Sequence, residues 1–398
     1  MSIRYIAGRI TESINPLRVP DAPASATATA ASSSTASVAF TAPSNVGGSA
    51  VTSYSAVATT GGTVFSSATS PISITGLSAS TSYTFQVTAT NSYGVGPVLQ
   101  TNTITTSAAG TQKAIFGFGS AGSVTSITNL VSNTGVVSGD TAGVGTARYQ
   151  IAAAGYGNDK AIFGYGSTIP SGSDIPQSIT NLVSNTGVVA TNTAGVGTAR
   201  GTLAATTYGT DKAIFGYGFN GTAYVSMTNL VSNVGVVGTD VTGVGTARGY
   251  PAAATFGSSG QAIFGYGTGP DTNVTNIVSN TGVVATDTAG VGTARGNLAA
   301  AGYGTDKAIF GYGGFYTNVT NLVSNTGVVS ANVTGVGTAR TWIAAAGYGL
   351  DKAIFGYGYN AGNVSMTNLV SSTGVVASDT TGVGTARAFL AAAGYSST

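Results

Sequence analysis

Over the last three quarters of the chain, short apolar runs alternate with breaks rich in Gly, Ser, Thr and Asn, and the alternation repeats. The run Ala-Ile-Phe-Gly begins at Ala114, Ala161, Ala213, Ala262, Ala308 and Ala353, so the period is 45 to 52 residues. Apolar runs this short, bounded by turn residues, predict β-strands. Four strand-sized pieces fill the second repeat: an alanine-rich run over 149–156, an apolar run over 160–165, a third over 179–183, and a return over 188–191. The turn Ser184-Asn185-Thr186-Gly187 separates the last two, and Asn and Gly tolerate the positive φ that a tight hairpin requires. The period is too long for a β-helix rung, and the composition is too poor in helix formers for paired-helix repeats. One four-stranded blade of a β-propeller fits both.

The first strand of each repeat is largely alanine, as expected where strands crowd around an axis. The two ends of the array complement each other. The Ala114 run has no alanine-rich run before it, whereas the chain ends on Phe389-Leu390-Ala391-Ala392-Ala393-Gly394-Tyr395 with no Ala-Ile-Phe-Gly after it. The expectation is that the terminal strand completes the first blade, closing six blades with no free edge.

The repeat resembles the kelch family of propellers. The likeness lies in an arginine, a small-residue strand, a turn, a hydrophobic strand ending in glycines, and a hairpin, as in 148–166 and again from Arg200, Arg248, Arg295 and Arg340. Gly-Tyr-Gly, or Gly-Phe-Gly in the first unit, stands where kelch repeats usually carry a glycine pair, and the late kelch Trp is missing. The resemblance implies a fold, not a function.

Residues 19–107 contain no Lys, Arg or Glu, and Asp21 is their one acid. This segment resembles a fibronectin type III domain of bacterial and phage extracellular proteins. The likeness is carried by Pro20-Asp21-Ala22-Pro23, by the strand-like stretches 37–43 and 47–54, and by 74–91, which contains Leu77 and Tyr83. The resemblance makes Tyr83 a corner tyrosine with its hydroxyl tied to nearby backbone, and puts Phe40 where a Trp is more usual. The chain is therefore expected to be all-β: an arm (1–19), a fibronectin type III β-sandwich (20–107) and a six-bladed propeller (108–398) closed by its C-terminal strand.

Composition narrows function. With no Cys and no His, the chain has no disulfide, thiol or His-ligated metal chemistry and no Ser-His-Asp arrangement. Charged residues are 7% of the chain against a usual share of about 25%, and the net charge is +2. No basic stripe suits a phosphate backbone, and no apolar run approaches the roughly 20 residues of a membrane span. Neither nucleic acid nor membrane insertion is expected, and no cofactor or metal. Residues 1–18 lack the apolar core of a secretory signal, yet the rest is extracellular in style. A phage virion protein assembled in the host cytoplasm reconciles the two; a bacterial surface adhesin exported without a cleaved signal is the alternative.

Six arginines recur before the first strands: Arg148, Arg200, Arg248, Arg295, Arg340 and Arg387. Eight residues before them stand Asp140, Asn192, Asp240, Asp287, Asn332 and Asp379. An anion site and a structural latch are both consistent with this, and the usual pairing of buried Arg favours the latch. The pairs Asp159-Lys160, Asp211-Lys212, Asp306-Lys307 and Asp351-Lys352 read as solvated turns, and the repeated Tyr165, Tyr217, Tyr266, Tyr312 and Tyr357 as packing between blades. A glycosidase needs two carboxylates in different environments, and 108–398 contains no Glu. No catalytic residue is assigned, although a carbohydrate-active enzyme stays the alternative from another class.

The repeats differ from one another in two places, just after each Arg and between the second and third strands. In a four-stranded meander these loops share a face. The partner-binding candidates there are Tyr149, Phe219, Tyr224, Tyr250, Phe315, Tyr316, Trp342, Tyr359 and Phe389, because aromatics supply contact area at low entropic cost. A host-surface glycan or a protein is the expected ligand; drift in weakly constrained loops is the competing explanation. The arm offers Ile3, Arg4, Tyr5, Ile6 and Arg9 for docking on other virion proteins, in a segment too short to fold alone. The reading is of a non-enzymatic structural protein, a tail-associated fibre or capsid-surface decoration within a larger assembly.

Overall fold

The computed structural model describes residues 5–6, 9–10, 17–31, 35–78, 80–106, 112–169 and 173–396. Among these the chain is all-β, without a helix, and it divides into two units, Met1–Ala109 and Gly110–Thr398. Tyr5–Ile6 pairs antiparallel with Arg9–Ile10. That is a local hairpin, where the sequence predicts order only against a partner. Ile3 and Arg4 lie outside the described residues.

The first unit is a sandwich of antiparallel sheets. One holds Ser25–Ala30, Ala36–Thr41 and Ile72–Ile74; the other holds Gly94–Val95, Phe85–Asn91, Ser53–Ala58 and Val64–Ser67, with Leu99–Gln100 also paired to Phe85–Asn91. Strand periodicity sets the core, since alternate residues of Ser53–Ala58 (Tyr54, Ala56 and Ala58) are buried. They meet Val38, Ile72, Phe85 and Val87, all fully buried. Phe40 lies at the margin of this core, half-buried, with its ring centroid 4.2 Å from that of Tyr54.

Among the described residues the second unit holds six three-stranded sheets, numbered I to VI, and one two-stranded pair, Ser167–Thr168 with Ile175–Pro176. Sheets II to VI open on the alanine-rich first strands Ala152–Tyr156, Ala204–Tyr208, Ala252–Phe256, Ala299–Tyr303 and Ala344–Tyr348. The Ala-Ile-Phe-Gly strand follows in each, then a strand built on Thr-Asn-Leu-Val or Thr-Asn-Ile-Val. In sheet I the first strand is the terminal one: Ala391–Ser396 pairs with Gln112–Gly117 in the register Ala114↔Gly394 and Phe116↔Ala392. Each first strand packs against the next, from Ala391–Ser396 to Ala152–Tyr156 and onward to Ala344–Tyr348, which again touches Ala391–Ser396. Ala153, Ala205, Ala253, Ala300, Ala345 and Ala392 line a shared cavity of about 270 Å³.

The expected fourth strand does not form as a strand. In sheet II, residues 188–191 are tied to the third strand by the isolated bridge Val183↔Val189, with a second at Thr180↔Thr193. The reason is Asn181, fully buried, whose side-chain amide donates to Ala190 O (3.0 Å) and Asn192 Oδ1 (3.0 Å). A side chain thus occupies the gap where ladder bonds would run.

Packing between sheets is close. Tyr165 is fully buried with a left-handed φ of 63°, and its ring centroid lies 5.1 Å from that of Phe215 on the next sheet. Its counterparts Tyr217, Tyr266, Tyr312 and Tyr357 repeat this contact.

Candidate functional site

The six arginines are buried to within 2% exposure, and their surroundings explain why that is tolerable. The Arg200 guanidinium lies 4.6 Å over the Tyr165 ring. Its Nε donates to Tyr217 O (2.9 Å), Nη1 to Thr198 O (3.1 Å) and Nη2 to Asn229 Oδ1 (2.5 Å). Its acid is Asp240, at 3.7 Å, at the far end of the repeat that Arg200 opens, not the Asn192 that precedes it in sequence. Arg340 and Asp379 pair likewise at 3.4 Å. These arginines are latches between repeats and present no cationic array to solvent.

Each Asp of this set also clasps the preceding repeat. Asp240 accepts from the Thr198 N–H (3.0 Å) and hydroxyl (2.7 Å) and from Asn229 Nδ2 (2.9 Å). Burial opposes its ionisation, but the hydrogen bonds from Thr198 and Asn229 and the charge of Arg200 outweigh it and hold the carboxyl below its ordinary range. Asp140 does the same for Thr385, linking the last repeat to the first. At Asn192 and Asn332 an amide takes over the contact to Thr146 and Thr293. Burial pushes Arg148, beside Asn192, down to about 10. The partner that sequence reasoning missed is the asparagine of Thr-Asn-Leu-Val. Its signal was available: the same polar residue inside an apolar strand in all six repeats, from Asn129 to Asn368.

Two residues after each arginine the backbone turns left-handed. Gln150 (φ 53°), Thr202 (56°), Tyr250 (50°), Asn297 (58°), Trp342 (53°) and Phe389 (56°) share this geometry. It lets each residue offer its N–H to one neighbouring repeat and its carbonyl to the other. The N–H of Gln150 donates to Phe389 O (3.0 Å), Thr202 to Gln150 (3.0 Å), Tyr250 to Thr202 (2.7 Å), Asn297 to Tyr250 (3.3 Å), Trp342 to Asn297 (3.0 Å) and Phe389 to Trp342 (3.1 Å). The six bonds close a cycle. Non-glycine residues in this conformation cost on the order of 1–3 kcal/mol each, and a β-branched Thr or a bulky aromatic is unusual there. The six side chains, with Leu203, Ile343 and their equivalents, line a cavity of about 90 Å³.

The second variable set meets this first one, as the meander predicts: isolated bridges join Gly201 to Phe219, Gly249 to Thr268 and Thr341 to Tyr359. Five candidate aromatics form one run. Tyr149 contacts Phe389 edge-on at 5.5 Å, Phe389 stacks on Trp342 at 4.2 Å, Trp342 contacts Tyr359 at 5.2 Å, and Tyr359 stacks near Tyr316 at 6.2 Å. Tyr250 is tied in through its hydroxyl, which accepts from Gln150 Nε2 (3.0 Å). Phe219 and Tyr224 form a separate pair at 5.6 Å, and Phe315 stands 97% exposed. Tyr149 is corrected: it is buried, its hydroxyl donating to Asp174, and burial followed by that carboxylate raises its pKa. It supports the run without presenting a face.

The Asp-Lys turns are ion pairs of 2.6 to 2.9 Å. Asp351 departs from the solvated reading, being buried while Lys352 covers it at 2.7 Å.

In the sandwich, the Tyr83 hydroxyl accepts the backbone N–H of Ser78 at 2.9 Å, tying a strand to the loop before it. The family model for the fibronectin type III domain matches residues 21–106. These residues are a fibronectin type III domain. Tyr83 is its corner tyrosine, and Asn91 closes the opposite side, with Nδ2 donating to Arg18 O (2.9 Å) and Val46 O (2.8 Å). Such a domain carries a structural or binding role. No curated protein matches the chain.

Proposed function

We propose that Gly110–Thr398 is a six-bladed, kelch-like β-propeller closed by its terminal strand, and that the chain is a non-enzymatic binding protein in which one propeller face meets the partner. Closure is supported by the pairing of Ala391–Ser396 with Gln112–Gly117 and by the hydrogen-bond cycle through all six repeats. The recognition role is carried by one observation: the residues that vary most between repeats occupy left-handed positions. Drift at such positions favours Gly, Asn and Asp. Five of the six are instead Gln, Thr, Tyr, Trp and Phe, kept there against the backbone's preference. A non-catalytic reading is supported by most of the carboxylates of this unit, since the clasp acids serve Thr and Arg, the turn acids serve Lys and Asp174 serves the Tyr149 hydroxyl.

Within this reading the chain sits on a phage particle, as a tail-associated fibre or capsid-surface decoration, with residues 1–19 as the docking arm. A fibronectin type III spacer, the absence of Cys and a charged share of 7% suit a protein held in an extracellular assembly. Mass spectrometry of purified particles, with immunogold labelling, tests the assignment. The chain is expected on particles; detection only on bacterial surfaces would replace the virion with an adhesin. Turnover of a host polysaccharide by the purified chain would end the non-catalytic reading.

A further inference from the structure

We infer that the cavity inside the hydrogen-bond cycle is a binding site for a neutral sugar residue of a surface glycan. The inference rests on the recognition role proposed above and gives it a ligand class. Around the cavity stand three aromatic side chains (Tyr250, Trp342, Phe389), two amides (Gln150, Asn297) and one hydroxyl (Thr202), none of them ionised at neutral pH. A pyranose presents C–H faces and a rim of hydroxyls, which aromatic faces and neutral donors and acceptors complement. An anionic ligand would call for cations, and the nearby arginines are committed to their latches.

Bonding capacity is left open at this site. The Tyr250 hydroxyl accepts from Gln150 and keeps its own hydrogen to donate. Beside the cavity the stacked Trp342–Phe389 pair continues into Tyr359 and Tyr316, offering successive contacts to further sugars of a chain. A small concave site of aromatic faces, neutral amides and a hydroxyl donor suits a sugar better than a protein epitope, which would need a broad apolar anchor.

The test is calorimetric titration of the full chain with neutral hexoses, N-acetylhexosamines and their oligomers. Asn297→Gly removes the amide while suiting the left-handed φ of 58°, and Trp342→Ala removes the stacking face. One sugar class should bind, and each variant should weaken it by about tenfold or more. Asn297→Gly should leave the melting temperature unchanged or higher, separating lost binding from lost folding. Absence of binding across the panel, or equal affinity in the variants, overturns the inference. If no sugar binds, Trp342-dependent attachment to intact cells or to a particle protein would keep the recognition role with a protein partner. Loss of both would remove both.

Discussion

Asn192 and Asn332 hold the clasp position that Asp140, Asp240, Asp287 and Asp379 hold in the other repeats, so Arg148 and Arg295 have an amide where their counterparts have a carboxylate. Asn192→Asp with Asn332→Asp should therefore stabilise the protein at pH 7, by about 0.5 kcal/mol per site for partly exposed acids. The sign with pH follows from the native clasps. Asp240 and Asp379 have folded pKa values below their ordinary ones, so their stabilisation is present above the unfolded value of about 3.9 and is lost as pH falls through the folded value. Thermal melts should show the double variant more stable at pH 7 and the gain gone near pH 2; an unchanged or lower melting temperature at pH 7 would contradict the clasp. The recurrence of Arg and Asp was legible in the sequence. Which acid each arginine meets was not, because spacing along the chain does not say which neighbour comes closer in space.

At the scale of strands, the second-strand glycine sets how near two sheets approach. A Cβ on Gly216 would lie 2.7 Å from Phe264 Cζ and 3.2 Å from Thr228 Cγ2, between a ring locked in the next sheet and a strand neighbour. Gly216→Ala should cost about 2 kcal/mol through overpacking, whereas Gly139→Ala, with nothing within 4 Å, should cost little. Denaturant midpoints of the two variants check this; equal midpoints would mean that the sheets can part without penalty. The first three strands of each repeat follow from their apolar runs and turn residues. The fourth was over-read, because its β-branched residues suit a strand while the buried amide of Asn181 and its equivalents takes the place of ladder bonds.

For the whole second unit, the terminal strand is the critical piece. Deleting 387–398 removes the partner of Gln112–Gly117, the Phe389 link of the cycle and the Arg387 neighbour of Asp140. Aggregation or a large fall in melting temperature is expected, since an unpaired strand edge and an apolar face are exposed together; an unchanged melt would show that the unit does not depend on its last strand. The sequence by itself determined the six repeats, the alanine-rich first strands, the complementary ends and the fibronectin type III segment, because these rest on local periodicity and on motifs read within one stretch of chain. Only the tertiary structure decided which acid meets which arginine, which aromatics join into one run, and that Tyr149 lies beneath it with its hydroxyl on Asp174. The left-handed turn at Gln150 and its five equivalents belongs with these. The aromatic stack and the turns depend on contacts between repeats some 45 to 52 residues apart, the Arg200–Asp240 and Tyr149–Asp174 contacts depend on one repeat folding back on itself, and the sign of φ at those turns goes with a hydrogen-bond cycle that exists only when all six are assembled.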